Sequence, residues 1–416
     1  MKIHLFSFRP WIQIALINFC VVAFAGIIMR FKINFSLPWV NQKYFLHGHS
    51  HFAFTGWVTL ALMVLMVDYL RKQDISANYT NYNRILLANC LAAYGMLFSF
   101  IVQGYALFSI TFSTLSIFIS YLFIFNFWRD LNKAKDKSYA STWFKTAMVL
   151  WSISSLGAFS LAYLTANRIM VQDYYFAAIY FFLHFQYNGW FLFACFGLLF
   201  SYLSKKNTLP LIKNRKLFIV MTATVGPTYL LSILWLKLPA ALRLTADIAG
   251  VLQLLVLIYI VRLLPLVKKN IPLNFSKTTG YLWSMVFIAF IIKIILQLLS
   301  IVPFLSGYAF GFRPIVIGYL HLSFLGIISF FILGYINQEL SEMKRPLSKT
   351  GLWIFVAGVL VQELILMFQG LEVIEFKPLR YADMILFYAS IAMGIGLIWT
   401  TLSVKKDKRS ARTSET

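Results

Sequence analysis

Apolar runs long enough to cross a lipid bilayer recur along almost the whole 416-residue chain. A spanning helix needs about 20 such residues. Runs of that size fall near 11–29, 47–70, 85–106, 108–128, 146–166, 174–203, 216–237, 244–265, 280–302, 313–336, 350–370 and 382–403. Inside hydrocarbon each backbone amide must find its partner within its own segment, so helices are the expected form. The fold class is therefore all-α: a polytopic membrane bundle of 12 transmembrane helices.

Composition agrees. Hydrophobic residues make up 60% of the chain, charged residues 12%, and mean hydropathy is +0.76. Soluble domains are only about half apolar and about a quarter charged. Cys20, Cys90 and Cys195 lie singly in apolar segments, which excludes a disulfide framework and a Cys-x-x-Cys metal site. The first apolar run lacks a small-residue cleavage site and reads as a retained helix.

A net charge of +23 would invite a nucleic-acid partner if it were clustered on one face. Instead the basic residues gather in alternate loops: Arg71 and Lys72, 129–145, 205–216, Lys268 and Lys269, 344–349 and the tail 405–412. That is the positive-inside pattern of a bacterial-type inner (plasma) membrane, with both termini cytoplasmic and the lipid bilayer as the partner. The loop at 30–46, with Arg30, Lys32 and Lys43, departs from it.

Three of the six histidines share one register. His51, His184 and His321 each stand five residues before a glycine, in His51-Phe-Ala-Phe-Thr-Gly56, His184-Phe-Gln-Tyr-Asn-Gly189 and His321-Leu-Ser-Phe-Leu-Gly326. They fall on spans 2, 6 and 10, at near-equal intervals. The chain thus reads as one domain, 1–404, of three four-helix units, roughly 1–140, 141–270 and 271–404, followed by a basic disordered tail at 405–416. A two-fold transporter repeat would place matching motifs half a chain apart. Histidine inside a membrane is costly, is usually functional, and is the commonest metal ligand.

Twelve helices in three fours, with histidines on helices 2, 6 and 10, resemble subunit I of the haem–copper oxidases, a superfamily that includes nitric oxide reductases. The stretch HGHSHFAFTGW at 47–57 also resembles NnrS-type haem/copper membrane proteins, and HFQYNGWFLFACFGLL at 184–199 the copper-ligand helix of C-family oxidases. In that family helix 2 gives one histidine to a low-spin haem. Helix 10 carries His-x-His, the first residue for a high-spin haem and the second for the low-spin one. By register the resemblance implies His51 and His321 as the low-spin pair, with Tyr319 where the high-spin ligand would stand and His184 at the first copper ligand. His49 is the rival on helix 2, because residues two apart differ by about 200° around a helix. His47, which shares a face with His51, is a candidate for a haem propionate or a second metal. Arg243 and Arg313, at the outer ends of helices 8 and 10, are candidates for propionates.

Departures from the family pattern bear on the chemistry. Copper there needs two further adjacent histidines on helix 7, and 216–237 holds none. The family's cross-linked tyrosine stands four residues after the copper histidine, and Asn188 occupies that place, with Tyr187 one before it. The expectation is a haem protein with a bis-histidine low-spin site and without the complete copper and high-spin centre, serving electron transfer or a nitric-oxide- or metal-linked role. Its partners would be a cytochrome or quinol donor and small accessory membrane subunits. An oxidoreductase with an atypical metal site at His184, Tyr187 and Tyr319 is one alternative. A cofactor-free transporter or assembly factor is another. Mid-span Lys293 and Glu363 are read as an ion pair between helices 9 and 11, or as part of a proton path. Gln103, Gln253, Gln297 and Gln369 are read as interhelical hydrogen-bonding groups, and Trp57, Phe185 and Trp190 as packing residues or flanks of a macrocycle.

Overall fold

A computed structural model describes residues 6–134, 140–205, 215–270, 275–375 and 379–404. Much of the basic run 205–216 and the whole of the tail 405–416 lie outside them. The helices, numbered in chain order, are α1 (Phe8–Asn34), α2 (Gln42–Lys72), α3 (Tyr79–Gln103), α4 (Leu107–Leu131), α5 (Ala140–Ala166), α6 (172–205), α7 (Arg215–Val225 and Pro227–Ile233), α8 (Ala240–Asn270), α9 (Lys277–Leu299), α10 (Arg313–Glu342), α11 (Lys349–Glu375) and α12 (Ala382–Leu402). Among the described residues 10 helices are long and apolar enough to cross a membrane, or 11 if the two pieces of α7, bent by 44°, form one span. The bend falls at Gly226-Pro227, where proline withholds an amide from the helix ladder. Although α6 is helical from end to end, His184, Gln186 and Asn188 at its centre keep it outside that group.

Sequential helices pack as neighbours, and α12 closes on α1. At the centre α2, α6 and α10 meet. Phe54 of α2 lies 4.3 Å from Phe324 of α10 and 5.7 Å from Phe191 of α6, while Phe191 and Phe324 are 5.8 Å apart. The Trp57 indole N–H donates to the Ser329 hydroxyl at 2.9 Å, joining α2 to α10. One end of the trio is sealed by polar groups. Lys72 of α2 bridges Asp68, at 2.8 Å, and Glu339 of α10. Tyr202 of α6 donates to Glu342 at 3.2 Å and accepts from Gln338 at 3.0 Å.

The same local structure follows each of the three histidines. A wide π turn replaces the α-helix at Ala53–Thr59, Phe185–Phe191 and Leu322–Ser329, and each contains the glycine of the motif. A π turn inserts one residue and frees a carbonyl, and such insertions mark functional positions. Around Gly56 the freed groups are met by asparagines: Asn18 donates to Gly56 O at 2.8 Å and Asn89 to Thr55 O at 3.0 Å. Gly189 and Gly326 lie against the preceding helix of their own unit, where an added Cβ would come within 3.0 Å of Leu150 and 3.3 Å of Ala289.

Beyond the π turns the two ends of the central helices differ. Every residue of Leu60–Leu70 and of Phe330–Leu340 is buried. In the histidine-bearing half, only Gly48 and Phe52 of Gln42–Phe52 are buried, and none of Arg313–His321 is.

Candidate functional site

The histidine-bearing half of α2 and α10 brings together a set of side chains that differs in part from the expected one. His321 and His49 are electrostatic neighbours, and Arg30 joins them. His49 lies on the α1 side of its helix. Its Nδ1 is 3.1 Å from the Val22 carbonyl oxygen, and Gly26 lies beside the ring, where an added Cβ would meet the imidazole in van der Waals contact at 3.5 Å. A carbonyl can only accept, so Nδ1 carries the proton and the Nε2 lone pair is free. His321 faces α11, where its Nδ1 is 3.2 Å from the Gln362 amide. That amide offers either an N–H or an oxygen by a half-turn.

His51 does not face His321. Its ring stacks on Phe100 of α3 at 4.4 Å, and its Nε2 meets the Tyr105 hydroxyl at 3.0 Å. His51 turns to α3, His184 to α7 and His321 to α11, each toward the helix that follows its own. The three residues of one register thus turn to their chain neighbours and not to one another. On the other side of α2, two positions earlier and about 200° away around the helix, stands His49, within electrostatic reach of His321.

His184 is fully buried with both ring nitrogens engaged. Nε2–H donates to Val225 O at 2.7 Å, and Nδ1 accepts from the Asn188 amide at 3.1 Å. This assignment satisfies both partners and leaves no lone pair for copper. Tyr319 turns to α6 instead, where its ring meets that of Tyr187 edge-on, the ring centres 6.3 Å apart. His184, Tyr187 and Tyr319 thus do not converge on one point. Among the described residues no three His, Cys, Asp or Glu side chains form a metal-holding group.

Of the two arginines singled out, Arg243 is engaged elsewhere. It donates to Ile301 O at 2.6 Å and lies 3.7 Å from Asp247. The guanidinium that does influence His321 is that of Arg30, near the end of α1, which has Arg313 and Asp383 as charged neighbours. Two guanidiniums with one carboxylate leave a net positive region around Arg30. The departure of the 30–46 loop from the charge pattern was the signal that could have pointed to Arg30.

Nor does the ion pair between Lys293 and Glu363 form. Lys293 donates to Gln297 at 3.1 Å, one turn along its own helix, and Glu363 Oε1 is buried without a partner. Lys293 and Gln253 border a cavity of about 10 Å³ with Asn188. The Gln103 side-chain oxygen accepts from the Phe108 and Ser109 amides and so caps α4. Trp57 and Trp190 are packing residues, stacked on Phe19 at 4.2 Å and on Trp151 at 4.1 Å. Phe185 packs on Phe181 at 4.6 Å. Neither a protein-family model nor a curated protein matches the chain.

Proposed function

We propose that this chain is a haem-binding integral membrane protein of the haem–copper oxidase subunit I type, in which His49 and His321 share a low-spin haem. The carrying observation is that these two imidazoles, on neighbouring central helices, lie within electrostatic reach of one another, each held through Nδ1 by its surroundings. Metal-binding histidines are commonly fixed in this manner, with the second nitrogen left for the metal. The donor set fits. Val22 O sets the His49 tautomer, Gln362 sets the His321 ring plane, and Arg30 and Arg313 supply guanidiniums suited to carboxylates. The histidine-bearing half of α2 and α10 is largely unburied, so a flat group could lie against it.

Held by His49 and His321 together, such a haem would supply reversible one-electron chemistry and would not bind substrate. The reading is thus electron transfer, or a nitric-oxide- or metal-linked role, in a plasma membrane crossed 12 times with both termini cytoplasmic, fed by a cytochrome or quinol donor. To bind copper through Nδ1, His184 would have to give up the hydrogen bond from Asn188, which counts against an oxygen-reducing centre.

The test is the visible spectrum of the purified protein, oxidised and then dithionite-reduced. A low-spin spectrum is expected, lost in His49→Ala and in His321→Ala but kept in His51→Ala. A colourless wild-type protein would select the cofactor-free transporter or assembly factor instead. A low-spin signal that survives in both ligand variants would end the assignment.

A further inference from the structure

Two histidines of α2 take no part in that reading, and they face the other way. His47 and His51 lie one turn apart on the side of α2 that packs on α3, and they are electrostatic neighbours. Tyr105, in the connection from α3 to α4, stands over both. Its hydroxyl is 3.0 Å from His51 Nε2, and its ring meets the His47 ring edge-on at 4.7 Å. His47 Nε2 is buried and has no hydrogen-bond partner. A nitrogen in that position forfeits its hydration without compensation, so it calls for a ligand.

The surroundings hold these groups in place. Gly48 lets α2 press on α3, since a Cβ there would lie 3.1 Å from Leu97 O. Gly104 takes a left-handed φ of 64°, and a Cβ on it would lie 2.4 Å from the Tyr44 ring. Ser109 then ties the turn, donating to Gly104 O at 2.7 Å and accepting from the Ala106 amide at 2.8 Å. Tyr105 is thereby fixed over the histidine pair, and Phe100 fixes the His51 ring.

We propose that His47, His51 and Tyr105 form a binding site for one divalent transition-metal ion of the zinc–copper class, separate from the site at His49 and His321. Two imidazole nitrogens four residues apart on a helix converge on one ion, the Tyr105 oxygen is a third donor, and water completes the set. Imidazole-rich donors select zinc and copper over calcium and magnesium, which prefer oxygen. The positive charge of nearby Lys43 opposes binding of any cation, so selectivity rests on the nitrogen donors. If Tyr105 ligates as phenolate, its proton leaves to solvent as the ion enters.

The site does not depend on the haem reading, and the test keeps the two apart. Full-length untagged protein carrying His4→Ala, to remove the histidine near the chain start, is dialysed against Cu2+ or Zn2+ and desalted. Bound metal is then measured by mass spectrometry. One equivalent per chain is expected, with nitrogen hyperfine structure in the Cu2+ paramagnetic resonance spectrum. His47→Ala and His51→Ala should each weaken binding at least ten-fold, Tyr105→Phe should weaken it less, and His49→Ala should bind as well as the parent. Gel filtration of each variant reports folding, and His47→Gln and His51→Gln serve where an alanine variant aggregates. Absence of stoichiometric metal on the parent, or equal binding after loss of His47 and His51, overturns the site. Loss of the haem spectrum in His51→Ala together with its retention in His49→Ala would overturn both assignments.

Discussion

A single imidazole does useful work only when its second nitrogen is held. His321 is held by Gln362 and His49 by a backbone carbonyl, and only the first of these partners can be removed by substitution. Gln362→Leu keeps the size of the side chain and deletes its polar end. Losses of this kind typically cost about 10–100-fold in affinity, so the variant should release haem at least ten-fold more readily than the parent in competition with apomyoglobin. At Gly26 the expectation is steric. Gly26→Leu puts a side chain where the His49 ring lies and should abolish the low-spin spectrum without unfolding the protein, as judged by circular dichroism. That histidines would sit on spans 2, 6 and 10 was legible in their spacing. Which histidine faces which neighbour was not. Facing depends on how the helices are disposed about one another, and a register shared along the chain carries no sign of that disposition.

The element most particular to this fold is the π turn after each histidine. Its cost is a carbonyl without a helical partner, and in α2 that cost is met from outside by Asn18 and Asn89. Asn89→Ala leaves Thr55 O without its donor inside the bundle, and a buried group so abandoned costs about 1–3 kcal/mol. The thermal midpoint in detergent, followed by tryptophan fluorescence, should fall accordingly, and Asn18→Ala should lower it as well. Helix positions were readable because hydrocarbon demands apolar length. The π turns were not, because the inserted residue leaves hydrophobic periodicity almost unchanged over so short a stretch. The glycine five residues after each histidine was the visible trace of them.

At the scale of the molecule, the bundle is fastened at one end. Lys72 holds Asp68 and Glu339 between α2 and α10, and Tyr202 brings α6 to the same place. Removing one partner of a buried ionic cluster leaves uncompensated charge. Lys72→Met should therefore destabilise by about 3 kcal/mol, measured by the same thermal transition. Adding Glu339→Gln to it should recover part of the loss. None of these pairs was apparent from sequence, since Lys72 reads as an ordinary basic residue at a helix end, and only depth within the bundle sets it apart.

The contrast between the two ends bears on how the protein is made. Packing among 60–70 and 330–340 is complete from the chain's own side chains, so it can form during synthesis with no prosthetic group at hand. At the other end the helix halves that carry His49 and His321 remain largely unburied. On the proposed haem reading, biogenesis would run in a set order, helices first and cofactor second. Cells starved of haem should accumulate a folded, monodisperse apoprotein that takes up added hemin in vitro, and not an aggregate.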